Sequence, residues 1–369
     1  MGSKRKYRVG IIGCGRVGSL LEHDYLRAHP CTHAGGYHAC SKTKIVAACD
    51  IDEERLNLFG REWGVKHLYS DYQEMLAKEE LDIVSICSWT NTHSEMTIAA
   101  AQAEIRGVIC EKPMALNLQE AGAMIEACKE YGTKLIITHE RRWDADYRKA
   151  KELIEEGSIG ELRTIVGNVL TTAPLPRDWH ADCRQVGGGP MLHDGTHLVD
   201  MIRFFGGEAD WVFGHIERRT EGIQVEDVAM GFIHLRNGVH ATLEGGGIRN
   251  YFNFELDIQG SEGRILIGNG ILRMWLANKS LHYLGFRELE ERPFPRSRNG
   301  GNPWVLQVED MISCLENNRE SISSGYEGWA ALELIMGIYE SAHLGGVKVS
   351  FPLKIETSPL ESMFQKGSL

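Results

Sequence analysis

Gly13-Cys14-Gly15-Arg16-Val17-Gly18 is the first stretch of this sequence whose spacing has a chemical meaning. Glycines in the order G-x-G-x-x-G allow a tight turn, a close backbone approach to a pyrophosphate, and close packing of a helix on a strand. The apolar run Tyr7–Ile12 before it and the helical Ser19-Leu20-Leu21-Glu22 after it supply the strand–turn–helix context. A helix start there adds unpaired N–H groups and a positive dipole end for phosphates. All six residues of the turn are therefore cofactor candidates. Asp50 ends the next apolar run, where a carboxylate accepts hydrogen bonds from adenine-ribose hydroxyls. Such a group repels a 2′-phosphate, and the neighbouring Ile51 offers no cation, so NAD is expected over NADP. The interval from turn to Asp50 exceeds the usual ~20 residues. An insertion around His29–Thr43 accounts for the excess. A further apolar run, Val108-Ile109-Cys110, delivers Glu111-Lys112-Pro113. Its carboxyl edge is where ligands of open α/β sheets collect, which puts Lys112 where a cofactor ring should lie.

The richest polar segment comes later, from Gly187-Gly188-Gly189 through His193-Asp194-Gly195-Thr196-His197 to Asp200. A helix beginning near His193 would set His193 and His197 one turn apart on one face. A neutral imidazole at His197 suits proton transfer near pH 7, with a neighbouring carboxylate to orient it. Arg141, Arg142, Trp143, His180 and Tyr251 are candidates for gripping a hydroxylated ligand, because guanidinium gives fixed donors and indole an apolar face. Metal binding is not expected. Cys31, His33, His38 and Cys40 lie in C-x-H and H-x-C spacings that do not match structural zinc patterns.

The elements that must position these groups fall into two textures. Strand-like runs Tyr7–Ile12, Lys44–Cys49, Ile83–Ser88, Val108–Cys110 and Leu135–Thr138 alternate with helical stretches such as Glu53–Trp63, Thr92–Ala103 and Leu118–Tyr131. That alternation predicts βαβ units and a parallel sheet. After a helix over Asp146–Glu156, a Pro-bearing loop Thr171–Gly189 and a helix over Thr196–Phe205, the pattern changes to period two from Trp211 to Leu276. Asn237-Gly238 marks a hairpin, read as a type I′ turn. This second part is α+β with a largely antiparallel sheet, closed by helices over Val305–Leu315 and Ala330–Ala342. With 369 residues two domains are expected, divided as 1–140 and 141–369.

A net charge of −11 argues against nucleic acid or an anionic membrane surface as partner. Nine cysteines scattered singly, without a C-x-x-C pair, suit a reducing compartment. No apolar signal region and no long apolar run occur, so the expected location is cytoplasmic.

Taken in order, the glycine turn, Asp82-Ile83-Val84 leading to Thr92-His93, Glu111-Lys112-Pro113, Arg141-Arg142-Trp143, and Gly187-Gly188-Gly189 leading to His197 and Asp200 resemble the Gfo/Idh/MocA family over nearly the whole chain. The resemblance implies a doubly wound Rossmann domain, followed by an α/β domain whose large open sheet often mediates dimers or tetramers. It implies that Lys112 is the catalytic lysine and that Trp89-Thr90-Asn91, His93 and Glu111 line the cofactor cleft. It further implies that Trp179 reaches the nicotinamide end. Many members carry Asp four residues before the histidine at His197; here that position is His193 and the carboxylate is Asp194. Either Asp194 takes the usual role through an altered turn, or His193 itself binds substrate or relays a proton. His193, His197 and Asp200 have a metal-compatible spacing, but hydride transfer in this family generally needs no metal.

Lysine titrates near 10.4 in the open, too high for a neutral-pH base. Burial and the positive nicotinamide would each disfavour the ammonium and lower that value. The activity the resemblance implies is hydride transfer between NAD and a secondary alcohol or ketone of a sugar, inositol or sugar derivative. A glycoside-cleaving enzyme using transient oxidation, and a dinucleotide sensor without chemistry, are the alternatives.

Overall fold

Short runs of β-branched and apolar residues, buried on both faces, read as strands of a parallel sheet, and a six-stranded sheet is built on such runs, with the short, partly exposed His67–Tyr69 at its edge. In the computed structural model, which describes residues 5–171, 182–297, 300–355 and 357–367, the chain divides into two compact units. The first comprises Met1–Ala115, Gln119–Asp144 and Gly301–Trp329; the second comprises Leu116–Leu118, Ala145–Gly300 and Ala330–Leu369. The expected boundary at 140/141 thus lies close to the Asp144/Ala145 division, and residues 301–329 return to the first unit.

In the first unit β1 (Tyr7–Ile12), α1 (His33–Ala39), β2 (Thr43–Cys49), α2 (Glu53–Trp63), β3 (His67–Tyr69), α3 (Tyr72–Lys78), β4 (Ile83–Ile86), α4 (Thr90–Gln102), β5 (Gly107–Cys110), α5 (Leu118–Tyr131) and β6 (Lys134–Ile137) follow in order. The strands run β3-β2-β1-β4-β5-β6, all pairs parallel. The order reverses between β1 and β4, and ligands of such sheets bind at the carboxyl ends beside that switch point. β3 and α3 escape sequence reading because each is short. α3 starts where the Asp71 carboxylate accepts from the Gln73 N–H, a cap worth about 1 kcal/mol.

The helix expected directly behind the glycine turn is not continuous. Only a 3-10 turn, Leu20–His23, follows Gly18; the chain then makes an excursion and resumes as α1. The His33 N–H donates to the Val17 carbonyl and the Ala34 N–H to that of Gly18, so α1 takes up carbonyls that an unbroken helix would have satisfied. The inserted segment is therefore Leu20–Thr32, earlier in the chain than expected. α1 itself is capped by Thr32, whose side chain accepts from the Gly35 N–H.

The second unit contains α6 (Ala145–Glu155), β7 (Leu162–Leu170), α7 (Cys183–Val186), α8 (Pro190–His193), α9 (Gly195–Gly206), β8 (Ala209–Glu217), β9 (Val228–Leu235), β10 (His240–Gly246), β11 (Asn253–Gly260), β12 (Gly263–Gly268), β13 (Ile271–Lys279) and β14 (Arg287–Arg292). α10 (Pro303–Asn317) belongs to the first unit, and α11 (Gly325–His343), β15 (Val349–Ser350) and α12 (Pro359–Gln365) complete the chain. Nine strands form one sheet in the order β14-β13-β12-β11-β7-β10-β9-β8-β15, antiparallel except for β7 beside β10. Glycines let helices lie close on one face: a Cβ on Gly167 would meet Leu198 of α9 at 2.7 Å, and one on Gly214 would meet the Ile338 carbonyl of α11 at 2.3 Å.

The Asn237-Gly238 hairpin forms, but with a different turn. Only Gly238 has positive φ (87°), and its N–H donates to the Leu235 carbonyl. With Leu235 and Val239 paired across three loop residues, this is the type I turn plus left-handed residue of a longer hairpin loop. Among the described residues no helix is long and apolar enough to cross a membrane.

Candidate active site

The first and last glycines of the turn are each required by a different neighbour. Gly13 sits at φ 92°, and a Cβ there would lie 2.7 Å from the backbone of Cys87, at the end of the neighbouring β4. A Cβ on Gly18 would fall 2.1 Å from the Gly13 carbonyl oxygen. Around Gly15 the space is open, with only the Arg55 guanidinium at 3.9 Å. The turn is thus closed by protein at its first and last glycines and left bare at its middle one, as a phosphate approach requires. Arg16 is exposed, Cys14 is buried and Val17 is partly buried.

Asp50 is buried at the end of β2, and its carboxylate accepts from the Cys14 and Asp52 N–H groups at 2.8 and 2.9 Å. The carboxylate therefore braces the glycine turn. The Arg55 guanidinium stands 3.5 Å from Asp50 and 3.2 Å from Asp52. Ile51 indeed brings no cation and is exposed, but α2 brings one: Arg55 lies one helical turn beyond, where reading along the strand does not find it.

At the end of β5, Glu111 is buried and hydrogen-bonded to the His33 Nε2 at 3.0 Å. The other ring nitrogen of His33 lies 3.0 Å from Ser85 Oγ, which is 2.9 Å from the Tyr37 hydroxyl. With its proton on Nε2, the ring donates to Glu111 and accepts from Ser85, and Ser85 accepts from Tyr37; every member is then satisfied. Burial pushes Glu111 up, but the His33 hydrogen bond and the Lys112 charge outweigh it and hold the carboxyl below its usual range. The second Glu111 oxygen accepts from the Lys112 N–H at 3.3 Å. A buried four-residue network thus anchors the strand end that presents Lys112. His93 adds to it: fully buried on the first turn of α4, it hydrogen-bonds the Pro113 carbonyl through Nδ1 at 2.8 Å. Burial lowers its pKa. Thr90 is buried beside it; Asn91 and Trp89 are exposed at the same helix start.

In the second unit, the helix expected to begin near His193 is broken. α8 ends at His193, Asp194 joins the two helices, and α9 starts at Gly195, although the His197 N–H still reaches the Asp194 carbonyl at 3.2 Å. His193 Nε2 lies 3.1 Å from the Val186 carbonyl, His197 is buried, and Asp194 is partly buried. What shapes this segment is Glu226, which sequence reading missed. Its carboxylate is fully buried and accepts from the N–H groups of Gly189 and Met191 at 2.8 and 3.1 Å and from the Tyr339 hydroxyl at 2.8 Å. Burial pushes it up to about 7 against those donors. A Cβ on Gly189 would lie 1.8 Å from the Glu226 carbonyl oxygen, so this glycine is fixed by contact.

Two expected ligand-gripping residues have packing duties instead. Arg142 is buried and donates to the Ile322 carbonyl at 2.6 Å and to Glu327 at 2.9 Å, fastening residues of the 301–329 return. Trp143 belongs to the core of the first unit, with Ile136, Val308 and Met311. Arg141 pairs with Glu140 at 2.7 Å, and Tyr251 is exposed. Trp179 and His180 lie outside the described residues.

A bare glycine turn at the switch point of a doubly wound parallel sheet, joined to a unit built on a large antiparallel sheet, is the plan of a two-part dinucleotide-binding oxidoreductase. Residues 7–139 match the oxidoreductase family of NAD-binding Rossmann fold, GFO_IDH_MocA, and residues 147–266 match the GFO/IDH/MocA C-terminal domain. The chain is 31% identical to the myo-inositol 2-dehydrogenase of Thermotoga maritima over 71% of this chain and 75% of that one. It is 27% identical to the D-apiose dehydrogenase of Paraburkholderia graminis over 92% and 89% of the two chains. The crystal structure of a probable dehydrogenase from Thermotoga maritima superposes with a TM-score of 0.74 at 27% identity, covering 93% of this chain and 98% of that one. The chain belongs to the GFO/IDH/MocA family of oxidoreductases.

Proposed function

We propose that the protein is an NAD-dependent dehydrogenase moving a hydride between nicotinamide and a secondary alcohol or ketone of a sugar, inositol or related polyol. The carrying observation is that the glycine turn, the Asp50 carboxylate and Lys112 follow strands β1, β2 and β5 at the same, carboxyl edge of one sheet. Relatives named for myo-inositol and D-apiose support a hydroxylated ring or sugar as substrate. The bare backbone at Gly15 fits a pyrophosphate, and the Asp50 carboxylate fits ribose hydroxyls, with Arg55 already committed to Asp50 and Asp52. That arrangement supports NAD over NADP.

When bound, the nicotinamide accepts or returns the hydride. The Lys112 amine hydrogen-bonds the reacting hydroxyl and takes its proton as the carbonyl forms, or returns it in reduction. Glu111 and His33 hold the backbone of that lysine in place. On the second unit we assign substrate binding to His193 and proton exchange to His197, with Asp194 as the carboxylate at the helix break. Trp179 and His180 stay candidates for the nicotinamide and substrate ends.

Purified protein, NAD⁺ and a panel of inositols, aldoses and glycosides test the reading by absorbance of reduced nicotinamide together with product analysis. Steady reduction with one polyol or sugar is expected; glycoside cleavage on a flat trace would replace this reading by internal hydride recycling. Lys112→Met should keep cofactor binding and lose about 10²–10⁴-fold in turnover. Unchanged turnover would remove Lys112 from the reaction.

A further inference from the structure

The excursion between the glycine turn and α1 brings together three donor side chains that the hydride chemistry does not use. Glu22 lies on the 3-10 turn, and His29 and Cys31 on the returning strand of chain; one ligand atom from each lies within 4.8 Å of the other two. His29 Nδ1 stands 2.8 Å from Glu22 Oε2 and 3.7 Å from Cys31 Sγ. We propose that Glu22, His29 and Cys31 form a binding site for a zinc ion, three protein ligands with a fourth, solvent-side position.

Zinc takes thiolate, imidazole and carboxylate at about 2.0–2.3 Å in a tetrahedral array, which sets ligand–ligand edges of roughly 3.3–3.6 Å. The sulfur–nitrogen edge is already close to that, and the oxygen–nitrogen edge has to open by about half an ångström. The carboxylate is aimed in advance. Its other oxygen, Oε1, accepts from the Cys31 N–H at 2.7 Å and the Thr32 hydroxyl at 2.8 Å, which leaves Oε2 toward the histidine. Such outer hydrogen bonds orient metal ligands and strengthen them. Cys31 is buried while the His29 side chain is 39% exposed, so an ion has both a dry side and an open side.

The charges close as well. Thiolate, carboxylate and neutral imidazole offset a dication, the Cys31 thiol proton passing to solvent on binding. The nearby Arg27 and Asp24 already neutralise each other at 3.0 Å. The mixed sulfur, nitrogen and oxygen set favours zinc over magnesium or calcium, which take oxygen ligands. The ion would clip the excursion shut at its foot, directly before Thr32 caps α1 and His33 reaches Glu111.

Cobalt(II) reports the site without reference to activity. Full-length, untagged protein is stripped with a chelator and titrated with Co²⁺ alone, then with Zn²⁺. The expected result is a near-ultraviolet thiolate-to-cobalt band saturating at about one ion per chain and abolished by competing Zn²⁺. Cys31→Ser should lose the band, His29→Ala and Glu22→Gln should weaken binding at least about 10-fold, and the buried Cys128→Ala should keep it. Zn²⁺ should also raise the melting temperature of the native protein and not of Cys31→Ser. Absence of the band in the unmutated protein overturns the proposal even if a variant fails to fold. A band that persists in folded Cys31→Ser overturns it too.

Discussion

Asp50 and Glu226 are both buried carboxylates that receive backbone N–H groups from a glycine-bearing turn, yet their consequences differ. For Asp50 the proposed ligand-facing duty is ribose recognition. Hydrogen bonds to a charged group contribute about 1.5–3 kcal/mol, so Asp50→Ala should cut kcat/KM for NAD⁺ on the order of 10- to 100-fold and shift preference toward NADP⁺. Steady-state comparison of the two cofactors checks this, and an unaltered ratio would refute the ribose role. For Glu226 the duty is structural, and it titrates upward, to about 7 from 4.5. The folded state then binds the proton more tightly than the unfolded state, so stability falls as pH rises from about 4.5 to about 7 and levels off above. The full effect is on the order of 3 kcal/mol. Glu111 is shifted the other way, so its contribution grows over the acidic range and is lost as pH falls. Urea midpoints at pH 5 and 7.5 should show Glu226→Gln losing the declining limb, whatever its absolute stability.

At the scale of the element, the glycine turn separates folding from binding. Gly15 has room for a methyl group inside the protein, whereas Gly18 has a carbonyl oxygen where a methyl would go. Gly15→Ala should melt like the unmutated chain while losing cofactor affinity. Gly18→Ala should lower the melting temperature itself, since a backbone collision has no flexible neighbour to absorb it. Calorimetry with and without NAD⁺ distinguishes the two; equal melting temperatures would show that Gly18 is not a packing glycine. Strand–helix alternation is legible in the sequence here because β1, β2, β4 and β5 are buried on both faces. The break of the first helix is not legible, because Ser19–Glu22 has helical composition and only the return of His33 and Ala34 to Val17 and Gly18 reveals where the helix resumes. The break at Asp194 is hidden for a similar reason: Glu226, far along the chain, draws the Gly189 and Met191 N–H groups to itself.

At the scale of the whole molecule, one face of the nine-stranded sheet carries Phe213, Met230 and Phe232 at 39%, 46% and 37% exposure, beside Trp211 stacked on His234. We propose that this exposed apolar surface is the contact of a homodimer or homotetramer formed through the sheet. Light scattering after gel filtration should find an oligomer that Phe232→Glu dissociates; a monomeric native protein would refute that assembly. All nine cysteines are free and buried.

The sequence by itself determined what local order can encode: the glycine turn, the strand-end Asp50 and Lys112, the family, and the change from parallel to antiparallel texture. These depend on spacing along a strand or across a turn, over which backbone geometry is fixed. Tertiary structure decided which side chains serve as supports. His33 reached Glu111, Arg55 reached Asp50, Glu226 fastened the second glycine turn, and Arg142 and Trp143 went to packing. It also sorted the inserted cysteines and histidines. His33 was drawn into the core, while Glu22 and His29 came to Cys31. Burial sets these outcomes, because a polar group removed from water must find its partner wherever the fold brings one, at any distance along the chain.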